Sequence, residues 1–221
     1  MGTMKNMGTW PQVIAAELFN VSTVNGVSGM ELEFRLGHLV GDTFHSNVKG
    51  DVFKSIGAYV QSLGPDRTIR VNTTEKIHGD TKHITTLFLE DQGETKPPPP
   101  LHCIRKTRQY TGNLPVEDSQ CMDRGMNSPY TVRCSISKEE LVPTPPPPPS
   151  SVCLVRNKIR TRYIVGYWAY DLTEVTSNTD EECMHEVELE LVDTDILFHT
   201  PMDEVAREGV YRMTQLLQHI R

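Results

Sequence analysis

Between about residues 30 and 192, apolar and polar residues alternate with a period of two over one stretch after another, the signature of strands with two unlike faces. Segments 30–36, 68–74, 83–89, 101–110, 130–139, 152–165, 167–175 and 184–192 read as strands. Helical spacing appears in three places. Residues 12–19 form a short candidate, and 46–63 brings Val48, Val52, Phe53, Ile56, Val60 and Leu63 to one face before stopping at Gly64-Pro65. The third runs from 202 to the end, with Val205, Met213, Leu216, Leu217 and Ile220 on its core side. There Thr200 is placed to cap, Pro201 to take the first helical position, and Asp203 to complete a capping-box-like spacing. So many strands beside so few helices predict a mainly β fold with flanking helices (α+β), an eight-stranded antiparallel β-barrel closed on itself. A chain of 221 residues suits one domain, 1–221, with a strand core at about 30–192 and a C-terminal helix at about 202–221.

Two proline tracts interrupt the pattern, Pro97 to Pro100 and Pro143 to Pro149 broken by Thr144. Proline donates no backbone hydrogen bond, so neither tract can sit in a central strand, and both read as stiff connections. The five cysteines are scattered without a C-x-x-C pair, which argues against a disulfide framework or a zinc site and for a reducing, intracellular setting. No apolar run approaches the length of a membrane span, and residues 1–7 lack the regions of a signal peptide. A net charge of -7 argues against a protein that grips long nucleic acid through many phosphates. Any nucleic acid would be held locally.

The chemistry lies in the polar faces. Alternation puts Glu31, Glu33 and Arg35 on one side of 30–36, opposite Leu32, Phe34 and Leu36. It likewise aligns Glu186, Glu188 and Glu190 opposite Val187, Leu189 and Leu191. Either strand alone could be an amphipathic strand with a solvated acidic face. Together they concentrate like charge on poor strand formers, which needs a compensating cation. Hard oxygen ligands suit Mg2+ or Mn2+. A basic counterpart stands at Arg156, Lys158, Arg160 and Arg162, again at period two. A shared interior lined by both would enclose a metal bound to a polyanion, and a phosphate chain fits. Arg70, Arg133, Ser135, Ser137, Glu139, Asp171 and Thr173 offer further polar strand positions. No phosphate-binding loop, dinucleotide fingerprint, nucleophile elbow or H-E-x-x-H motif is present.

These residues resemble the metal-dependent RNA 5'-triphosphatases of fungal and protozoan mRNA capping, within the triphosphate tunnel metalloenzymes. The resemblance is strongest at Glu31-Leu32-Glu33-Phe34-Arg35-Leu36-Gly37 and His185-Glu186-Val187-Glu188-Leu189-Glu190. Supporting segments follow in the family's order: Ile69-Arg70-Val71-Asn72-Thr73, Ile104-Arg105-Lys106, Arg133-Cys134-Ser135 running to Glu139, Lys158-Ile159-Arg160, and Tyr170-Asp171-Leu172-Thr173. The resemblance implies an eight-stranded tunnel with a metal on Glu31, Glu33 and Glu190, and a γ-phosphate held by Arg70, Lys158 and Arg160. Lys106, Glu139, Asp171, Glu186 and Glu188 also fall on positions the family uses, and Arg133 stands with them. Ala169 departs from it: a basic residue commonly stands two before the aspartate, so that contact is expected to be missing or supplied by Arg133 or Arg162.

The implied activity is removal of the γ-phosphate from 5'-triphosphate RNA, the first step of capping, in the nucleus. The implied partners are the RNA end and a guanylyltransferase, with monomer and homodimer both open. Two other functions stay in view: hydrolysis of tripolyphosphate, thiamine triphosphate or nucleoside triphosphates on the same scaffold, and a non-catalytic polyphosphate-binding barrel or proline-rich adaptor. Relatives acting on the smaller substrates typically carry lysine where Arg35 stands, which favours RNA.

Overall fold

A computed structural model describes residues 9–79, 81–114, 130–143, 154–179 and 182–220. Helix α1 (Trp10–Asn25) leads into β1 (Met30–Val40) and the short β2 (Thr43–His45), followed by α2 (Gly50–Ser62). The strands β3 (Arg67–His78), β4 (Thr81–Asp91), β5 (Glu94–Lys96), β6 (His102–Leu114), β7 (Thr131–Leu141), β8 (Leu154–Val165), β9 (Trp168–Ser177) and β10 (Met184–Leu191) come next. A 3-10 turn (Thr194–Phe198) and α3 (Met202–Gln218) complete the order. Eight strands run β10-β9-β8-β3-β4-β6-β7-β1, every pair antiparallel, and β1 pairs with β10 to close the barrel. The two short strands β2 and β5 extend β1 and β4 at its rim. The expected eight-stranded antiparallel barrel is the fold observed.

The hydrophobic core lies outside this barrel. Leu32, Phe34 and Leu36 of β1, Val187, Leu189 and Leu191 of β10, Trp168, Tyr170 and Leu172 of β9 and Val132, Cys134 and Ile136 of β7 are all buried. They pack with Ile14 and Leu18 of α1, Val52, Ile56 and Val60 of α2, and Val205, Met213 and Leu216 of α3. Three helices thus seal one side of a barrel whose inner face is left to polar residues. Burying an apolar side chain stabilises by about 1.5–3 kcal/mol, so this outer layer carries the stability while the inner layer is free for chemistry.

Helix α3 comes so close to the barrel that Gly209 has no room for a side chain: an added Cβ would lie 2.6 Å from Phe34 and 2.7 Å from Trp168. Gly209→Ala is therefore expected to destabilise the protein by about 1–3 kcal/mol, despite alanine's better helix propensity. Thermal unfolding followed by circular dichroism checks this, and an unchanged midpoint would contradict the packing.

Helix ends differ from the expectations in instructive ways. Residues 46–49 are extended, because Val48 N–H donates to the His185 carbonyl (2.9 Å) and Asn47 Oδ1 accepts from His185 N–H (2.9 Å). The rim of β10 thus claims this segment, and α2 begins at Gly50. Helix α1 runs past Phe19 to Asn25, its buried row continuing through Val21. At α3 the N-cap position is Pro201, with no side-chain cap bond, so Thr200 does not cap. Pro97 to Pro100 form an exposed connection between β5 and β6, as expected. Thr144 to Pro149, Cys121 and Cys153 lie outside the described residues.

Candidate active site

Register decides which side chains share the tunnel. Strand β1 pairs Glu31 with Ser137, Glu33 with Ser135 and Arg35 with Arg133 on β7, and it pairs Glu33 with Glu190 and Arg35 with Glu188 on β10. Directly opposite residues lie on one face. Around the barrel, β10 sets Glu188 opposite Asp171 and Glu186 opposite Thr173, and β9 sets Asp171 opposite Arg162, Thr173 opposite Arg160 and Val175 opposite Lys158. On β6, Lys106 pairs with Glu139. Eleven of the twelve site residues named from the sequence, all except Arg70, thus fall on one inner face.

Arg70 does not, and this corrects the sequence expectation. Its partner on β8 is Thr161, whereas Val71 faces Arg160, Thr73 faces Lys158 and Glu75 faces Arg156. Arg70 is exposed and lines an outer groove with Phe53, Ile159, Tyr163 and Glu174. It cannot hold a phosphate inside. The inner residue that β3 supplies is Glu75, buried at 5% exposure, with Lys158 Nζ at 3.4 Å and Lys82 Nζ at 3.8 Å. The single-residue step from Arg70 to Val71 reverses every face, and β3 carries apolar and polar residues on both.

The tunnel is an ion-pair lattice. Arg160 Nη1 lies 3.1 Å from Asp171 Oδ2 and its Nη2 3.6 Å from Glu188, while Arg156 donates to Glu186 at 2.7 Å. Lys106 reaches Glu31, Glu33 at 3.2 Å and Glu139 at 3.7 Å, and Ser137 donates to Glu31 at 2.7 Å. Arg35 bonds Glu33 and lies 2.8 Å from Glu188. Burial pushes the Glu188 carboxyl up, but Arg35, Arg160, Lys158 and Lys106 outweigh it and hold Glu188 well below the usual carboxylate range. Burial pulls Lys158 down, and Glu75 and Glu186 only partly oppose it.

The Ala169 departure has a structural answer. Ala169 stands opposite Glu190, and Arg162 fills the adjoining space, donating to Asp171 through Nε at 2.8 Å and Nη2 at 2.6 Å and also to Glu190. Arg162, and not Arg133, supplies the cation there. Arg162 was one of the two cations the sequence offered for this contact, whereas Glu75 and Lys82 were missed.

Among the described residues no three carboxylates converge as a ready metal cage, since each of Glu31, Glu33 and Glu190 is engaged by Lys106, Arg35 or Arg162. The donor set nevertheless fits a hard divalent cation. Glu33 and Glu190 are cross-strand neighbours with Glu31 on the same face, and burial, with Asp171 and Glu31 adding to it against Arg162, pushes Glu190 up to about 7. Buried Glu186 Oε2 also accepts no hydrogen bond from the described residues, with Lys158 Nζ 3.7 Å away. Crowded carboxylates with spare oxygens are what an added cation relieves.

Removing Glu75 would leave Lys82 and the buried Lys158 short of a counter-charge. Glu75→Ala is expected to cost about 3 kcal/mol of stability, as for other broken buried pairs. The exposed Glu140, 3.9 Å from Lys138, should cost less than about 1 kcal/mol when replaced. Urea denaturation of both variants checks the contrast, and equal losses would contradict the burial of Glu75.

The family described as mRNA capping enzyme, beta chain, matches residues 15–208. The chain belongs to that family. A 5'RNA triphosphatase of Paramecium bursaria Chlorella virus 1 is 26% identical over 208 residues, covering 90% of this chain and 94% of the viral protein. The S. pombe Pct1 RNA triphosphatase has the same fold, with a TM-score of 0.61 and 18% identity over 99% of this chain and 96% of Pct1. A second Pct1 structure, in complex with the Spt5 CTD, gives 0.64 at 15% identity over 100% and 99% of the two chains. The mimivirus capping enzyme triphosphatase gives 0.58 at 14% identity over 99% and 100%. The family match spans all eleven inner residues discussed above.

Proposed function

We propose that the tunnel is the active site of an RNA 5'-triphosphatase that releases the γ-phosphate of 5'-triphosphate RNA, leaving diphosphate-ended RNA for the next step of mRNA capping. The observation that carries this reading is the basic row Arg156, Lys158, Arg160 and Arg162 set against the carboxylates of β1 and β10 inside a closed barrel. A closed, narrow interior admits a flexible RNA end and no duplex, which reconciles RNA chemistry with a net charge of -7.

Phosphoryl transfer asks the protein mainly for positioning and for charge where it develops. Lys158 and Arg160 neutralise the equatorial oxygens of the γ-phosphate, and Lys106 and Arg162 are placed to meet neighbouring oxygens. Glu188, held ionised, accepts a hydrogen bond from the attacking water and aims it, with Glu186 beside it. Asp171 fixes the Arg160 and Arg162 guanidinium planes, and Glu75 fixes Lys158. Glu31, Glu33 and Glu190 would hold Mg2+ or Mn2+, which when bound draws negative charge from the γ-phosphate. A guanylyltransferase is the partner this product calls for.

Phosphate release from triphosphate-ended RNA, a nucleoside triphosphate and inorganic tripolyphosphate, each with magnesium, manganese and cobalt, tests the reading. RNA should give the highest kcat/KM. Preference for tripolyphosphate under every metal would move the function to the smaller substrates.

A further inference from the structure

The inner cations divide by partner. Arg35, Lys106, Arg156, Lys158, Arg160 and Arg162 each face a carboxylate, whereas Arg108 and Arg133 meet none among the described residues. Arg133 lies one cross-strand step beyond the glutamates, opposite Arg35 and Asn113, and its Nε donates to Asn113 Oδ1 at 2.9 Å. Burial, then the neighbouring Arg108 and Arg35, pull Arg133 below the usual arginine range. Two cations together want an anion.

An aromatic ring stands beside them. Phe44, on the β2 side of the rim hairpin, lies with its ring centroid 4.2 Å from the Arg133 guanidinium carbon. Its place is built: at Gly37 an added Cβ would collide with the Phe44 ring and the His45 carbonyl, and the stacked His38 and His45 rings, 5.5 Å apart, brace the hairpin. Among the described residues, Phe44 is the single apolar side chain around a cavity of about 250 Å³ that Arg35, Lys106, Arg108, Arg133 and Lys158 also line. A bare phosphate chain gives such a ring nothing to do. A nucleobase does, because every base has a π-face that stacks on an aromatic ring or a guanidinium plane without reading sequence.

We propose that this mouth is the subsite for the first nucleotide of the RNA: its base stacks on the Phe44–Arg133 pair, and Arg108 and Arg133 receive the phosphate nearest the ribose. The subsite rests on the reading of the tunnel as an RNA triphosphatase and adds to it what distinguishes an RNA end from inorganic tripolyphosphate. It places the nucleoside at the hairpin rim and the γ-phosphate deeper, among Lys158, Arg160 and the glutamates.

Dissociation constants for a short triphosphate-ended RNA and for inorganic tripolyphosphate, measured in EDTA by calorimetry, test this. The proteins compared are the full chain, Phe44→Ala, Phe44→Leu and Phe44→Trp. Phe44→Leu keeps apolar bulk against Gly37 without a π-face, so it separates stacking from a loosened hairpin. The preference for RNA over tripolyphosphate should fall about tenfold in the Ala and Leu variants and persist in Phe44→Trp. A preference equal in all four proteins, or both ligands weakened alike, overturns the subsite. Failure of the unmodified protein to bind either ligand overturns the subsite alone, while failure to release phosphate from triphosphate-ended RNA with magnesium or manganese refutes the triphosphatase reading and the subsite with it.

Discussion

Glu33→Gln is expected to reduce phosphate release from triphosphate RNA on the order of a thousandfold while leaving the barrel folded. Glu33 is 4% exposed and stands opposite Glu190, with Lys106 Nζ at 3.2 Å and Arg35 bonded to it. Glutamine keeps the shape and removes the charge. Lys106 retains Glu31 and Glu139, and Arg35 retains Glu188, so no buried cation is stranded and the stability change should be small. The anionic donor set on β1 and β10 is nonetheless broken. Turnover measured with saturating magnesium, beside a circular dichroism melt, checks both halves. Activity within tenfold of the unmodified protein would remove Glu33 from the proposed metal site.

The next largest effect separates the two faces of one sheet. Arg160→Ala should cost on the order of a hundredfold or more in kcat, the range for lost electrostatic contacts to a developing negative charge. Arg160 touches Asp171 and Glu188; burial pulls its guanidinium down, but Asp171 and Glu188 outweigh it and hold Arg160 above the usual arginine range. Arg70→Ala should stay within about twofold, because Arg70 pairs with Thr161 on the outer face. Paired phosphate-release assays decide it, and a larger loss at Arg70 than at Arg160 would mean that the β3 register is wrong.

Arg70 also marks where sequence reading ended. Strands β1 and β10 were legible because their two faces differ completely, carboxylates and Arg35 on one and leucine, valine or phenylalanine on the other. The same rule failed on β3. It assumes that apolar side chains turn away from the polar tunnel, which holds for the strands the helices cover, where the core is outside. On β3 apolar Ile69 and Val71 share the inner face with Glu75, while Arg70 stands among Ile159, Tyr163 and Glu174 outside. Glu75 was hidden because the strand expected there stopped at residue 74. The extended run at 46–49 was hidden differently, since the hydrogen bonds that override its helical spacing come from His185, far along the chain. Arg162 was legible: period two through Arg156, Lys158 and Arg160 leads to it, and the charge missing at Ala169 made it one of two candidates to replace it.

The central claim is that this tunnel cuts one bond, between the β- and γ-phosphates of an RNA end. The most direct measurement uses RNA labelled in separate preparations at the γ- and the β-phosphate, incubated with the protein and magnesium, with the products resolved. The account predicts release of γ-label as inorganic phosphate in step with the appearance of diphosphate-ended RNA that retains all the β-label, and loss of both signals in EDTA. Release of β-label, or of pyrophosphate, would contradict it.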